Sequence, residues 1–135
     1  MRKGDILKYK RFYGLFYHYA LYIGDGRVIH LDKQNIFVLK GSVCITNLCD
    51  MIGTFEVIDL DMIRVPTEQA IDKAFGLHES GTVGYNALTS NCEHFVNFVR
   101  YNKTSSKQIQ HIKKCISTIL FTLFILKTQT ILYLL

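Results

Sequence analysis

The sequence has one proline, nine glycines and only 20% charged residues in a length of 135. So little proline and charge, set against 49% hydrophobic residues, excludes a disordered or collagen-like chain. The four cysteines (Cys44, Cys49, Cys92 and Cys115) include no Cys-x-x-Cys pair, and no His stands at ligand spacing from Cys44 or Cys49. A zinc site is therefore not expected, and neither is any other metal or cofactor. No apolar leader follows Met1-Arg2-Lys3-Gly4-Asp5, so the expectation is a reducing compartment with free thiols. Acidic residues are missing from 100–115, and Asp5 is the only one in 1–11, although each stretch holds five Lys or Arg. The net charge of +5 thus sits at the two ends of an acidic middle, since residues 12–99 carry five basic and ten acidic side chains. A nucleic-acid face spreads basic residues over one surface, so this distribution argues against nucleic acid as a partner.

The length suits one core and a short appendage. Residues 116–135 are mostly apolar, as ISTILFTLFIL, then KTQT, then ILYLL. As a helix they would reach about 30 Å, one hydrocarbon thickness. Lys127 would cost roughly 2.5–3.5 kcal/mol near a bilayer centre, while Lys113 and Lys114 stand where cytoplasmic positive charge belongs. The reading is a tail anchor with its body facing the cytosol, weighed against a buried terminal helix or a helix lying in the membrane plane. Residues 102–115 read as a polar, basic linker, and 1–101 as the body.

Strands are expected at 6–9, 17–23, 27–31, 36–39, 43–46 and 54–60, where β-branched and aromatic residues gather. Pro66-Thr67-Glu68 opens a helix to about Leu77, with Thr67 as its cap and Ala70, Ile71, Ala74 and Phe75 as its apolar stripe. A second helix follows Thr89-Ser90-Asn91-Cys92. Strands first and helices later give an α+β fold, an antiparallel sheet packed on helices with a hydrophobic C-terminal tail.

His18 and His30 flank a hairpin built around Gly24-Asp25-Gly26. A two-residue loop would send them to opposite faces. A three-residue loop sets His30 across from Ala20, diagonal to His18 on the same face, about 7–8 Å away at the backbone. Only the second register gathers Tyr19, Leu21, Ile23, Ile29 and Leu31 on one face, so the apolar pattern selects it. A type I turn with Gly26 in the left-handed position fits it.

Ser90-Asn91-Cys92-Glu93 reads as a capping box, with Ser90 as cap and Glu93 reaching back. Cys92 then lies in the first turn, where free N–H groups and the helix dipole favour a thiolate and could hold an oxyanion. His94 is two residues on, about 200° round the axis, and reads as a structural or surface group.

Three stretches carry a resemblance. They are Gly4-Asp5-Ile6-Leu7, His18-Tyr-Ala-Leu-Tyr-Ile-Gly-Asp-Gly-Arg-Val-Ile-His30-Leu, and Tyr85-Asn-Ala-Leu-Thr-Ser-Asn-Cys92-Glu-His-Phe-Val-Asn-Phe-Val-Arg-Tyr101. Together they resemble the lecithin:retinol acyltransferase-like family, and within it the small phospholipase A/acyltransferases. The resemblance implies a permuted papain-like (NlpC-type) fold, Cys92 as nucleophile, His18 as general base and His30 as its support. It implies a thiol phospholipase A/acyltransferase that acts on a glycerophospholipid at a membrane. Many relatives carry Trp after the first His, where this chain has Tyr19 and no Trp at all, and the stretch from His30 to Cys92 is shorter here. Two other readings remain, a cysteine peptidase or isopeptidase on a related fold and a non-catalytic membrane-bound interaction protein.

Overall fold

A computed structural model describes residues 1–14, 16–33, 40–84 and 91–134. The expected strand at 36–39 and the expected cap Ser90 lie outside them. The chain divides into two compact units, Met1–Ser105 and Ser106–Leu135.

The first unit is α+β. Six strands, β1 (Ile6–Arg11), β2 (Phe16–Gly24), β3 (Arg27–Lys33), β4 (Lys40–Asn47), β5 (Phe55–Ile58) and β6 (Thr82–Gly84), form one sheet in the order β5-β1-β2-β3-β4-β6. Every neighbouring pair is antiparallel. Helices α1 (Thr67–Glu79) and α2 (Cys92–Tyr101) pack with the sheet, α2 against β2 and β3 and α1 against α2 and β4.

Alternation along the strands makes two apolar layers. Ile6, Tyr19, Leu21, Ile23, Ile29 and Leu31 point to the helices, where Phe95, Val96 and Val99 of α2 meet them. Those three lie at helical spacing and present one stripe. Burying an aromatic or aliphatic side chain of this size contributes roughly 1.5–3 kcal/mol, so this layer is the main source of stability. On the opposite face Leu7, Tyr9, Ala20 and Val28 form a smaller cluster, covered by Tyr22, Leu48 and Met51.

The hairpin keeps the expected register, with Leu21 across from Ile29 and Tyr22 across from Val28. Its tip differs. Gly24 pairs with Arg27 around a two-residue turn, and a bulge between Tyr22 and Gly24 absorbs the odd residue. Asp25 and Gly26 both take positive φ, 50° and 67°. That is the requirement of a primed hairpin turn, whose twist matches the strands as a type I turn would not.

Two local expectations are corrected, and one strand is added. Pro66, not Thr67, precedes α1, and no side chain caps that helix. Thr82–Gly84 adds a short edge strand that the sequence reading does not include. The stretch 102–115 is not all linker, because the second unit is one helix, α3 (Lys107–Leu134), that already includes Lys113 and Lys114. Within its first 22 residues, Lys107–Thr128, an 18-residue window has a mean hydropathy of 1.4. At 1.5 Å per residue this 22-residue stretch exceeds about 30 Å. It is long and apolar enough to cross a membrane.

Candidate active site

His18 and His30 share one face of the hairpin and touch. His18 Nε2 lies 3.0 Å from His30 Nδ1, with the rings edge to face at 82°. His30 Nε2 continues the chain to Thr46 Oγ1 at 3.0 Å. The ladder explains this reach. His30 stands opposite Cys44 and Val28 opposite Thr46, so Thr46 is the diagonal neighbour of His30 on the same face. Cys44 is closer in register, but its sulfur turns to Ser42.

Both imidazoles are held neutral. Burial, then the neighbouring His30 and Arg11 charges, lower His18 to about 4, with Asp32 pulling the other way. Burial also lowers His30, against the same Asp32. Two adjacent rings cannot both carry charge in such a site without mutual repulsion.

Cys92 opens α2, as the sequence suggests, but Asn91 caps the helix. Asn91 Oδ1 accepts from the backbone N–H of Glu93 at 3.0 Å and of His94 at 3.1 Å. His94 closes the box, its Nδ1 2.9 Å from Asn91 Oδ1 and 3.4 Å from the Asn91 nitrogen. His94 is thus structural.

The thiol sits at the edge of β2. Tyr22 exchanges backbone bonds with the chain before β1, accepting from Gly4 and donating to Asp5. Even-numbered residues of β2 therefore face β1, and odd-numbered ones face β3. Among the described residues, β2 and β3 pair only between Leu21/Ile29 and the turn. Below that point Cys92 takes the place of a ladder partner. Its Sγ lies 3.9 Å from the Tyr17 carbonyl, and the Tyr19 N–H points to the same sulfur. Residue 18, between these two, carries the imidazole. The thiol thus meets the backbone on either side of His18, while the ring stands on the face shared with His30. No hydrogen bond joins the sulfur to either histidine among the described residues; its side-chain contact is the Tyr17 carbonyl.

The expected low thiol pKa is overturned. Cys92 is only 6% exposed, and burial pushes its thiol up to about 11. The N–H groups of Tyr19, Glu93 and Cys92 itself pull downward, and the Glu93 carboxylate adds to the upward push. Desolvation wins because Cys92 belongs to the main buried apolar layer, together with Tyr19 and Phe95. The resting site is a neutral thiol beside a neutral imidazole.

Thr46 is the site residue that sequence reading misses. It lies in an expected strand, but nothing short of the β3–β4 register marks it as a partner of His30.

Comparison with known proteins places this geometry. A family model described as lecithin retinol acyltransferase matches residues 1–105. "Phospholipase A and acyltransferase 1" from Homo sapiens is 32% identical over 123 residues, covering 78% of this chain and 70% of that protein. "Phospholipase A and acyltransferase 3" from Mus musculus is 29% identical, covering 85% of this chain and 80% of that one. "Lecithin retinol acyltransferase" from Rattus norvegicus is 27% identical, covering 87% and 62%. With most of the described body inside the match, this chain belongs to the lecithin retinol acyltransferase family.

Proposed function

We propose that the protein is a membrane-associated thiol phospholipase A/acyltransferase on a permuted papain-like fold. In this reading Cys92 is the nucleophile, His18 the general base and His30 its orienting partner. The observation that carries it is the wedge of Cys92 against the backbone on both sides of His18, with the His18–His30–Thr46 chain behind. The similarity to proteins named phospholipase A and acyltransferase supplies the substrate class.

The tautomers follow from the chain. If His30 Nε2–H donates to Thr46, then His30 Nδ1 is free to accept from His18 Nε2–H. His18 Nδ1 is left as the basic nitrogen. The thiol turns from the Tyr17 carbonyl to that nitrogen. As Sγ attacks the ester carbonyl of a glycerophospholipid, its proton passes to His18 Nδ1. The N–H groups around the sulfur hold the developing oxyanion. The carbon–oxygen bond then breaks, and His18 Nδ1–H protonates the leaving lysophospholipid. Water, an amine or a hydroxyl gives its proton to Nδ1 and attacks the thioester, and Sγ leaves with that proton. Because thiol and imidazole are both neutral at rest, proton transfer accompanies attack rather than preceding it.

Helix α3 would anchor the body at the membrane that holds the substrate, with the body in the cytosol. Incubation with phosphatidylcholine or phosphatidylethanolamine tests the whole reading. Lysolipid release should fall at least about 10³-fold in Cys92→Ala and in His18→Ala. Release that survives Cys92→Ala, or no release by the wild type, overturns it.

A further inference from the structure

The turn between β1 and β2, residues Phe12–Gly14, ends in an exposed apolar rim, in which Phe55 leans on the Tyr9 ring at 5.4 Å between centroids. Tyr13 is wholly exposed yet holds a positive φ of 56°, a conformation that costs energy for a bulky residue. Phe16 is 53% exposed, Ile52 75% and Phe55 40%. The two chain segments that carry these residues are tied together. The Lys10 N–H donates to the Thr54 carbonyl at 3.2 Å, and Gly53 lies so close to the Lys10 carbonyl that a Cβ there would approach it to 3.0 Å. Lys10 and Arg11 border the rim and make no ion pair among the described residues. The nearest acid on the neighbouring strand, Glu56, is already paired with Lys8 at 2.7 Å.

Exposed aromatic and aliphatic side chains with free basic groups beside them match the boundary of a bilayer, where rings sit at headgroup depth and Lys or Arg meet anionic lipid. The placement favours a lipid surface over a protein. Phe16 is two residues from His18, about 7 Å of strand. A groove of about 270 Å³ beside this rim is lined by Lys8, Lys10, Tyr17, Thr54, Phe55 and Glu56, and the Tyr17 carbonyl also meets the thiol. We propose that Tyr13, Phe16, Ile52 and Phe55, with Lys10 and Arg11, form an interfacial docking rim that inserts into an anionic lipid surface and sets the site at the depth of the acyl ester. The choice of lipid as partner rests on the proposed phospholipid chemistry.

The absence of Trp makes the test direct. Full-length protein carrying Tyr13→Trp in a Cys92→Ala background is reconstituted into phosphatidylcholine vesicles with and without about 30% phosphatidylserine. With phosphatidylserine, the emission should shift to the blue, resist acrylamide and be quenched by lipids brominated on their acyl chains. Lys10→Glu with Arg11→Glu should lower the ratio of inserted to free rim about thirtyfold. An Ile63→Trp control, 94% exposed and outside the rim, should stay in water. Phe16→Trp gives a second reporter should the first substitution disturb the turn. Equal acrylamide access with and without vesicles at both positions overturns the proposal. So does quenching that ignores both phosphatidylserine and the charge reversal. Insertion is read without turnover, so a catalytically silent protein that inserts counts against the chemistry alone.

Discussion

The body and helix α3 use the same apolar residues to opposite ends. In the body they follow the period of their element. Tyr19, Leu21 and Ile23 alternate along β2, Phe95, Val96 and Val99 line one side of α2, and all are buried. In α3 they run all round the helix, and Ile116, Ile119, Leu120, Phe121, Leu123 and Phe124 are each at least half exposed. A patterned apolar set makes a core in water, whereas an unpatterned one asks for a different solvent. In the proposed reading, chemistry belongs to the patterned part and location to the other.

The sharpest way to break this contrast is one substitution in each part. Phe95→Ala should destabilise the body by about 3–5 kcal/mol in denaturant melts, because it opens a cavity between α2 and the sheet. Phe121→Ala should leave the same transition within about 0.5 kcal/mol and weaken only retention in membranes. Equal effects on unfolding would erase the distinction.

The pH dependence sharpens the patterned side of this contrast. With His18 lowered to about 4 and the Cys92 thiol raised to about 11, kcat/KM on a soluble short-chain ester should be level across neutral pH. It should fall only on approaching pH 4. Folding stability has its own sign. A histidine whose pKa is lowered by folding binds its proton more readily when unfolded. Stability is therefore full above about 6.5, declines as pH falls toward 4 and is flat below. An acid limb near 6.5 in the rate would mean that His18 is far more solvated than its burial indicates.

The smallest expected effect is the most local. Thr46→Val removes the hydroxyl that His30 Nε2 meets and leaves that nitrogen without its partner. Such a loss costs roughly 1–3 kcal/mol. Turnover should drop about tenfold or more, its acid limb should move and the unfolding transition should weaken by that amount, with Thr46→Ser restoring both rate and stability. A rate untouched by Thr46→Val would show that the chain behind His18 ends at His30.

The sequence makes the hairpin register legible because a slip of one residue would turn Leu21, Ile29 and Leu31 into water. It makes α2 legible through Phe95, Val96 and Val99. The tip of the hairpin is not legible to the residue, since choosing between a three-residue loop and a two-residue turn with a bulge depends on the twist that Asp25 and Gly26 must match. The cap is misplaced by one position because Ser90 and Asn91 are both good capping residues and only the backbone distinguishes them. The thiol pKa is misjudged for a physical reason. A helix start lowers it, but α2 is the central helix and its first turn is buried, and pattern alone does not weigh dipole against desolvation. Thr46 stays invisible because its role arises from a ladder between strands separated in sequence by residues 34–39. The charge map is legible from the start. The basic residues at the first end include Lys10 and Arg11 of the proposed docking rim.

The most direct test of the central claim is intact-protein mass spectrometry of the full chain mixed briefly with phosphatidylcholine of defined acyl chains, then quenched in acid. The account predicts a mass increase equal to one acyl group, mapped by proteolysis to Cys92, removed by hydroxylamine and absent from Cys92→Ala. Lysolipid release with no acyl adduct on Cys92, or an adduct on another residue that persists in Cys92→Ala, would contradict it.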